Sequence, residues 1–116
     1  MLKIEVRELK YKGNLKELAG KYSPDFNLLE NELGIKKYYL IEQEGESRIE
    51  ISLLQEKKFY KENQNPVLFV SADSQERAKQ KVEEVVEKFG VETEDITQRV
   101  LYDLVVKGFV ANRRWN

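Results

Sequence analysis

The side chains with which this 116-residue chain could do chemistry are its lysines, carboxylates and aromatic rings. It has no Cys and no His, so thiol nucleophiles, disulfides, Cys/His zinc centres and imidazole acid–base catalysis are outside its means. Basic and aromatic residues recur side by side, in Lys10-Tyr11-Lys12, Lys21-Tyr22, Lys36-Lys37-Tyr38-Tyr39 and Lys57-Lys58-Phe59-Tyr60-Lys61. Single-stranded nucleic acid is held by this chemistry, with ammonium groups on phosphates and rings stacked on bases. Lys36, Lys37, Tyr38, Lys57, Lys58, Phe59, Tyr60 and Lys61 are the candidates for such a surface. The plainer alternative is that the rings are core and the lysines are solvated. With 20 basic and 21 acidic residues, the chain lacks the basic excess of proteins that coat nucleic acid by global charge.

A second pattern is carboxylate-based. Pro24-Asp25 followed by Glu56-Lys57-Lys58 resembles the PD…ExK pattern of magnesium-dependent nucleases, in which two acids hold the metal and the lysine helps activate water. The resemblance covers only these residues, in a chain rich in Glu and Lys. Asp25 reads as the start of a helical segment, whereas the chemistry wants both acids at adjacent strand ends. Glu42, Glu44 and Glu46 flank a hairpin turn and read as a solvated loop. The glycines at 13, 20, 34, 45, 90 and 108 are scattered singly, so no phosphate-cradling loop exists. We therefore assign no catalytic residue, no metal ligand and no cofactor.

A third set lies near the C-terminus. Tyr102 and Val106 fall outside the helical arc of Ile96, Val100, Leu101 and Leu104, and Phe109 follows. Arg113, Arg114 and Trp115 add residue types enriched at binding hot spots. Contiguous apolar area of this kind marks a protein partner or a second copy, unless the helix is simply buried on two sides. Tyr102, Val106, Phe109, Arg113, Arg114 and Trp115 are thus the candidates for protein contact.

These residues need elements to position them. Leu2, Ile4 and Val6 alternate with Lys3, Glu5 and Arg7, which reads as a half-buried strand. Asn14 with Glu17 three residues on reads as a capping box opening a short helix. Ser23, Pro24 and Gly34 bound a second helical segment with Phe26, Leu29 and Leu33 on one face. Tyr39 and Ile41, then Ile49, Ile51 and Leu53 across Glu44-Gly45-Glu46-Ser47, form a β-hairpin. Val67-Leu68-Phe69-Val70 reads as an interior strand covered on both faces. Asp73 or Ser74 caps a helix whose Ala78, Val82, Val85, Val86 and Phe89 make one apolar stripe, and Gly90 ends it. A last helix starts around Thr93 to Asp95.

The expected fold is a single α+β domain over 1–116. An antiparallel sheet of about four strands carries a short N-terminal helical insertion and two C-terminal helices packed on one face. Helix, three antiparallel strands, helix is similar to the order in double-stranded-RNA-binding domains. Arg77-Ala78-Lys79-Gln80-Lys81 stands where those domains place phosphate-contacting lysines. The chain departs from them in an added first strand, an added last helix, the lack of His, and Glu76, Glu83 and Glu84 among the bases; no membership follows.

No apolar run approaches the length of a membrane span, and the start lacks a signal-peptide core, so a cytoplasmic setting is expected. The expected function is a small non-catalytic binding, adaptor or regulatory domain acting through protein contacts. A nucleic-acid-binding domain and a magnesium-dependent nuclease are the alternatives.

Overall fold

The computed structural model describes residues 3–30, 32, 36–55 and 65–102. In chain order they form β1 (Lys3–Leu9), α1 (Leu15–Tyr22), β2 (Asn27–Glu30), β3 (Lys36–Glu44), β4 (Ser47–Gln55), β5 (Val67–Ala72), α2 (Gln75–Phe89) and β6 (Thr93–Asp95). A further helix, α3, is described over 97–102. The strands make one antiparallel sheet in the order β2-β3-β4-β5-β1-β6. The α+β class with an antiparallel sheet is as expected, with six strands rather than about four.

The helices start and stop for local reasons. Asn14 Oδ1 accepts from the Glu17 amide at 3.1 Å and opens α1. Ser74 Oγ accepts from the Arg77 amide at 3.2 Å and opens α2. Gly90 ends α2 in the left-handed region, φ +66°, where its amide donates to Val86 O. Gly45, φ +62°, makes the tight β3–β4 turn.

One core lies between the sheet and the two helices. Ile49, Ile51 and Leu53 of β4 and Leu68, Val70 and Ala72 of β5 meet Leu15, Leu18 and Ala19 of α1. Ala78, Val82, Val85 and Phe89 of α2 close it from above. Each fully buried Val, Leu, Ile or Phe contributes roughly 1.5–3 kcal/mol relative to exposure. β2 supplies nothing to this cluster.

Two segments differ from expectation. The second helical segment expected from Ser23 to Gly34 is not found among its described residues; Asn27–Glu30 is a strand. Ser23 caps the C-terminal end of α1, its amide donating to Ala19 O, and its hydroxyl accepts from the Asp25 amide in a turn. Pairing with β3 satisfies backbone groups that so short a helix would leave half open. At the other end, residues 93–95 add an edge strand to β1 before α3 begins. Asp95 Oδ1 accepts from the Thr97 amide at 2.9 Å, which sets the later helix start.

β1 alternates as expected but faces the other way. Register sets Lys3, Glu5 and Arg7 opposite Ala72, Val70 and Leu68, so these three charged side chains share the helix face, while Glu8 lies on the far one. Val6, opposite Phe69, is fully buried on the far face. The buried Glu5 carboxylate is satisfied by Gln75 Nε2 at 2.6 Å and by the Thr97 hydroxyl at 3.1 Å.

Candidate functional site

β3 sends Tyr38, Leu40 and Glu42 to the helix face and Lys37, Tyr39 and Ile41 to the other, as its register with β4 requires. The two faces carry different chemistry.

On the helix face Glu42 meets Lys81 of α2 and Tyr22, the last residue of α1. Lys81 Nζ donates to Glu84 Oε2 at 2.9 Å, to Glu42 Oε2 at 3.0 Å and to the Tyr22 hydroxyl at 3.3 Å. The Tyr22 hydroxyl in turn donates to Glu42 Oε1. The Lys81 side chain is only 7% exposed. Burial alone would lower its pKa, but its bonds to Glu84, Glu42 and Tyr22 outweigh that and leave it raised. Burial, then the bond to Glu42, pushes the Tyr22 phenol up to about 12. The Glu42 carboxyl is held below its usual range because the bonds from Tyr22 and Lys81 outweigh desolvation. A lysine locked in its charged form is neither nucleophile nor base at neutral pH. This cluster is an ionic tie between α1, α2 and β3. It also removes Lys81 from any phosphate-contacting role.

A second polar group lies where β1, β6 and α3 meet. Glu5, Glu94, Asp95, Ile96, Thr97, Gln98 and Arg99 line a pocket of about 390 Å³. Two of its carboxylates are already engaged by the Thr97 hydroxyl, which lies 2.6 Å from Asp95 Oδ1 and 3.1 Å from Glu5 Oε2. Those bonds from Thr97 hold the Asp95 carboxyl below its usual range. Among the described residues no group of three acidic side chains is arranged to hold a metal.

The exposed apolar residues gather elsewhere. Leu28 is 48% exposed, Leu29 54% and Ile41 42%. Leu28 lies on the helix face, opposite Tyr38; Leu29, opposite Lys37, shares the far face with Ile41. All three sit at the β2–β3 end of the sheet, and every residue of β2 is exposed. Large apolar side chains are thus exposed on both faces of this end of the sheet, beyond the part that the helices cover.

The sequence-derived candidates are partly dispersed. Lys36 and Tyr38 point to the helix face while Lys37 points away, so that cluster is split by the strand's alternation. Lys37 is further engaged by Glu50 at 3.8 Å and lies over the Tyr39 ring. Lys57, Lys58, Phe59, Tyr60 and Lys61 lie outside the described residues, as does Glu56. Asp25 is exposed in the α1–β2 turn. Tyr102 is 69% exposed on α3; Val106, Phe109, Arg113, Arg114 and Trp115 lie outside the described residues.

Sequence reasoning passed over Leu28, Leu29 and Ile41, and over the Lys81 tie. For Lys81 one signal existed: it borders the apolar stripe of α2, where an unpaired lysine would be costly. For Leu28 and Leu29 none existed, because their exposure depends on a strand assignment that only β3 makes evident. No family model, curated protein or solved structure matches the chain.

Proposed function

We propose that this chain is a non-catalytic protein-binding domain that works through the β2–β3 end of its sheet. The observation that carries the reading is the joint exposure of Leu28, Leu29 and Ile41 beyond the helix-covered core. Burying them against a partner recovers several kcal/mol of hydrophobic free energy, roughly 1.5–3 kcal/mol for each side chain fully covered. Tyr102 offers an exposed ring on α3, in line with a partner surface near the C-terminus. The proposal extends to a cytoplasmic setting, with which a cysteine-free chain is compatible.

The test is affinity capture from an extract of the native host with the wild-type chain and with Leu28→Ser/Leu29→Ser/Ile41→Ser. Partners captured by the wild type are lost with the triple variant, while its circular dichroism stays unchanged. An identical partner set for both proteins contradicts the proposal.

A further inference from the structure

We infer that the free edge of β2 takes up an extended peptide of basic and apolar residues, which adds to the sheet as a further strand. The inference rests on the protein-binding reading and names the partner's chemistry.

Among the described residues β2 ends the sheet and pairs only with β3. In an antiparallel ladder every second residue turns its N–H and C=O away from its partner, so an end strand offers a row of unused donors and acceptors. Natural edges are guarded by lysine, proline, a bulge or a covering element. Asn27-Leu28-Leu29-Glu30 has no lysine and no proline, and its two central side chains are exposed, one on each face. The opposite edge differs. β6 is three residues long, carries Glu94 and Asp95, and runs directly into α3.

Charge selects the occupant. Between Ser23 and Glu32 the chain carries Asp25, Glu30 and Glu32 and no basic residue. All three are exposed. Side chains directly opposite on an added strand stand about 4.5–5.5 Å apart at Cβ, so these carboxylates face the newcomer first. Lys36 and Lys37 are on the inner strand, opposite Glu30 and Leu29. Two copies paired through β2 would bring two such acidic sets together, and a nucleic acid would meet the same repulsion. A strand with apolar residues opposite Leu28 and Leu29, flanked by Lys or Arg opposite Glu30 and Asp25, meets complementary groups at each position. Backbone bonds then supply affinity and the flanking charges supply selectivity.

The test uses the full chain, isotope-labelled for amide chemical-shift mapping, and the synthetic peptide Lys-Arg-Val-Val-Thr-Val-Arg-Lys. Controls are the same peptide with every Lys and Arg replaced by Glu, the peptide with its second Val replaced by Pro, and an oligothymidine. The basic peptide shifts the amides of residues 27–30 and of their β3 partners, and the acidic and proline peptides bind at least about tenfold more weakly. Glu30→Lys/Glu32→Lys loses affinity for the basic peptide by about tenfold, and Glu30→Gln/Glu32→Gln falls between it and the wild type. Equal binding of acidic and basic peptides overturns the inference. So does a shift pattern away from β2, β2 shifts that follow protein concentration or the oligothymidine, or no peptide binding at all. If any of these occurs while Leu28→Ser/Leu29→Ser/Ile41→Ser still loses its captured partners, the protein-binding reading stands and only the strand addition falls.

Discussion

Lys81 Nζ lies 3.0 Å from Glu42 Oε2, joining the middle of α2 to β3 across the top of the core. Lys81 is almost enclosed, and its charge is balanced by Glu42, Glu84 and, at 3.9 Å, Glu44. An enclosed ion pair adds little over an apolar pair of like shape, but removing one member leaves the other uncompensated. Glu42→Ala should therefore destabilise the fold by about 2 kcal/mol in urea denaturation, less than a fully buried pair because Glu42 is partly solvated. Glu42→Leu/Lys81→Met should return to within about 1 kcal/mol of the wild type. A double variant as unstable as the sum of the singles would contradict the tie.

The same cluster sets an alkaline limit. Tyr22 and Lys81 both hold their protons more tightly when folded than when unfolded. Their contribution is complete below the unfolded values and is lost as pH rises through the folded ones. Stability should fall from about pH 10 towards 12, the window between the ordinary phenol and Tyr22 in the fold. Tyr22 should titrate late in phenolate absorbance, and Tyr22→Phe should remove that late step. Glu42 and Asp95 act in the opposite sense: their contribution is present above the ordinary carboxylate values and is lost as pH falls through their lowered ones. A single phenolate transition at the ordinary value, unchanged by Tyr22→Phe, would contradict this account.

Thr97 carries a disproportionate share of the β1 edge. Its hydroxyl accepts from the Val6 amide at 2.9 Å and shares its one proton between Asp95 Oδ1 at 2.6 Å and Glu5 Oε2 at 3.1 Å. Thr97→Val keeps the shape, leaves the Val6 amide without its acceptor and removes the proton that Asp95 and Glu5 share. The expected cost is about 2 kcal/mol in urea denaturation, with Thr97→Ser costing about half as much. A Thr97→Val protein as stable as the wild type would show that water replaces the hydroxyl.

Much of the fold was legible because its signals were local. Ser74, the stripe from Ala78 to Phe89 and Gly90 specify α2 without help from the rest of the chain, and Gly45 specifies the hairpin. What escaped depended on distant partners. The alternation of β1 was plain, yet which side meets the helices is decided by Gln75 and Thr97, which make a buried Glu5 acceptable. Phe26, Leu29 and Leu33 match a helical period, and only pairing with β3 turns 27–30 into a strand and its leucines outward. The Lys/aromatic run at 36–39 reads as one cluster along the sequence, but a strand sends neighbours to opposite faces.

The central claim is that partners are met at the β2–β3 end of the sheet. The lack of native cysteine allows it to be read directly, by placing a benzophenone cross-linker on single engineered thiols. Leu29→Cys and Ile41→Cys probe the proposed surface; Lys16→Cys on α1 and Glu83→Cys on α2 probe exposed positions away from it. After irradiation in host extract, the account predicts discrete adducts from positions 29 and 41 and none from 16 and 83. Adducts only from 16 or 83, or equally from all four, would contradict it.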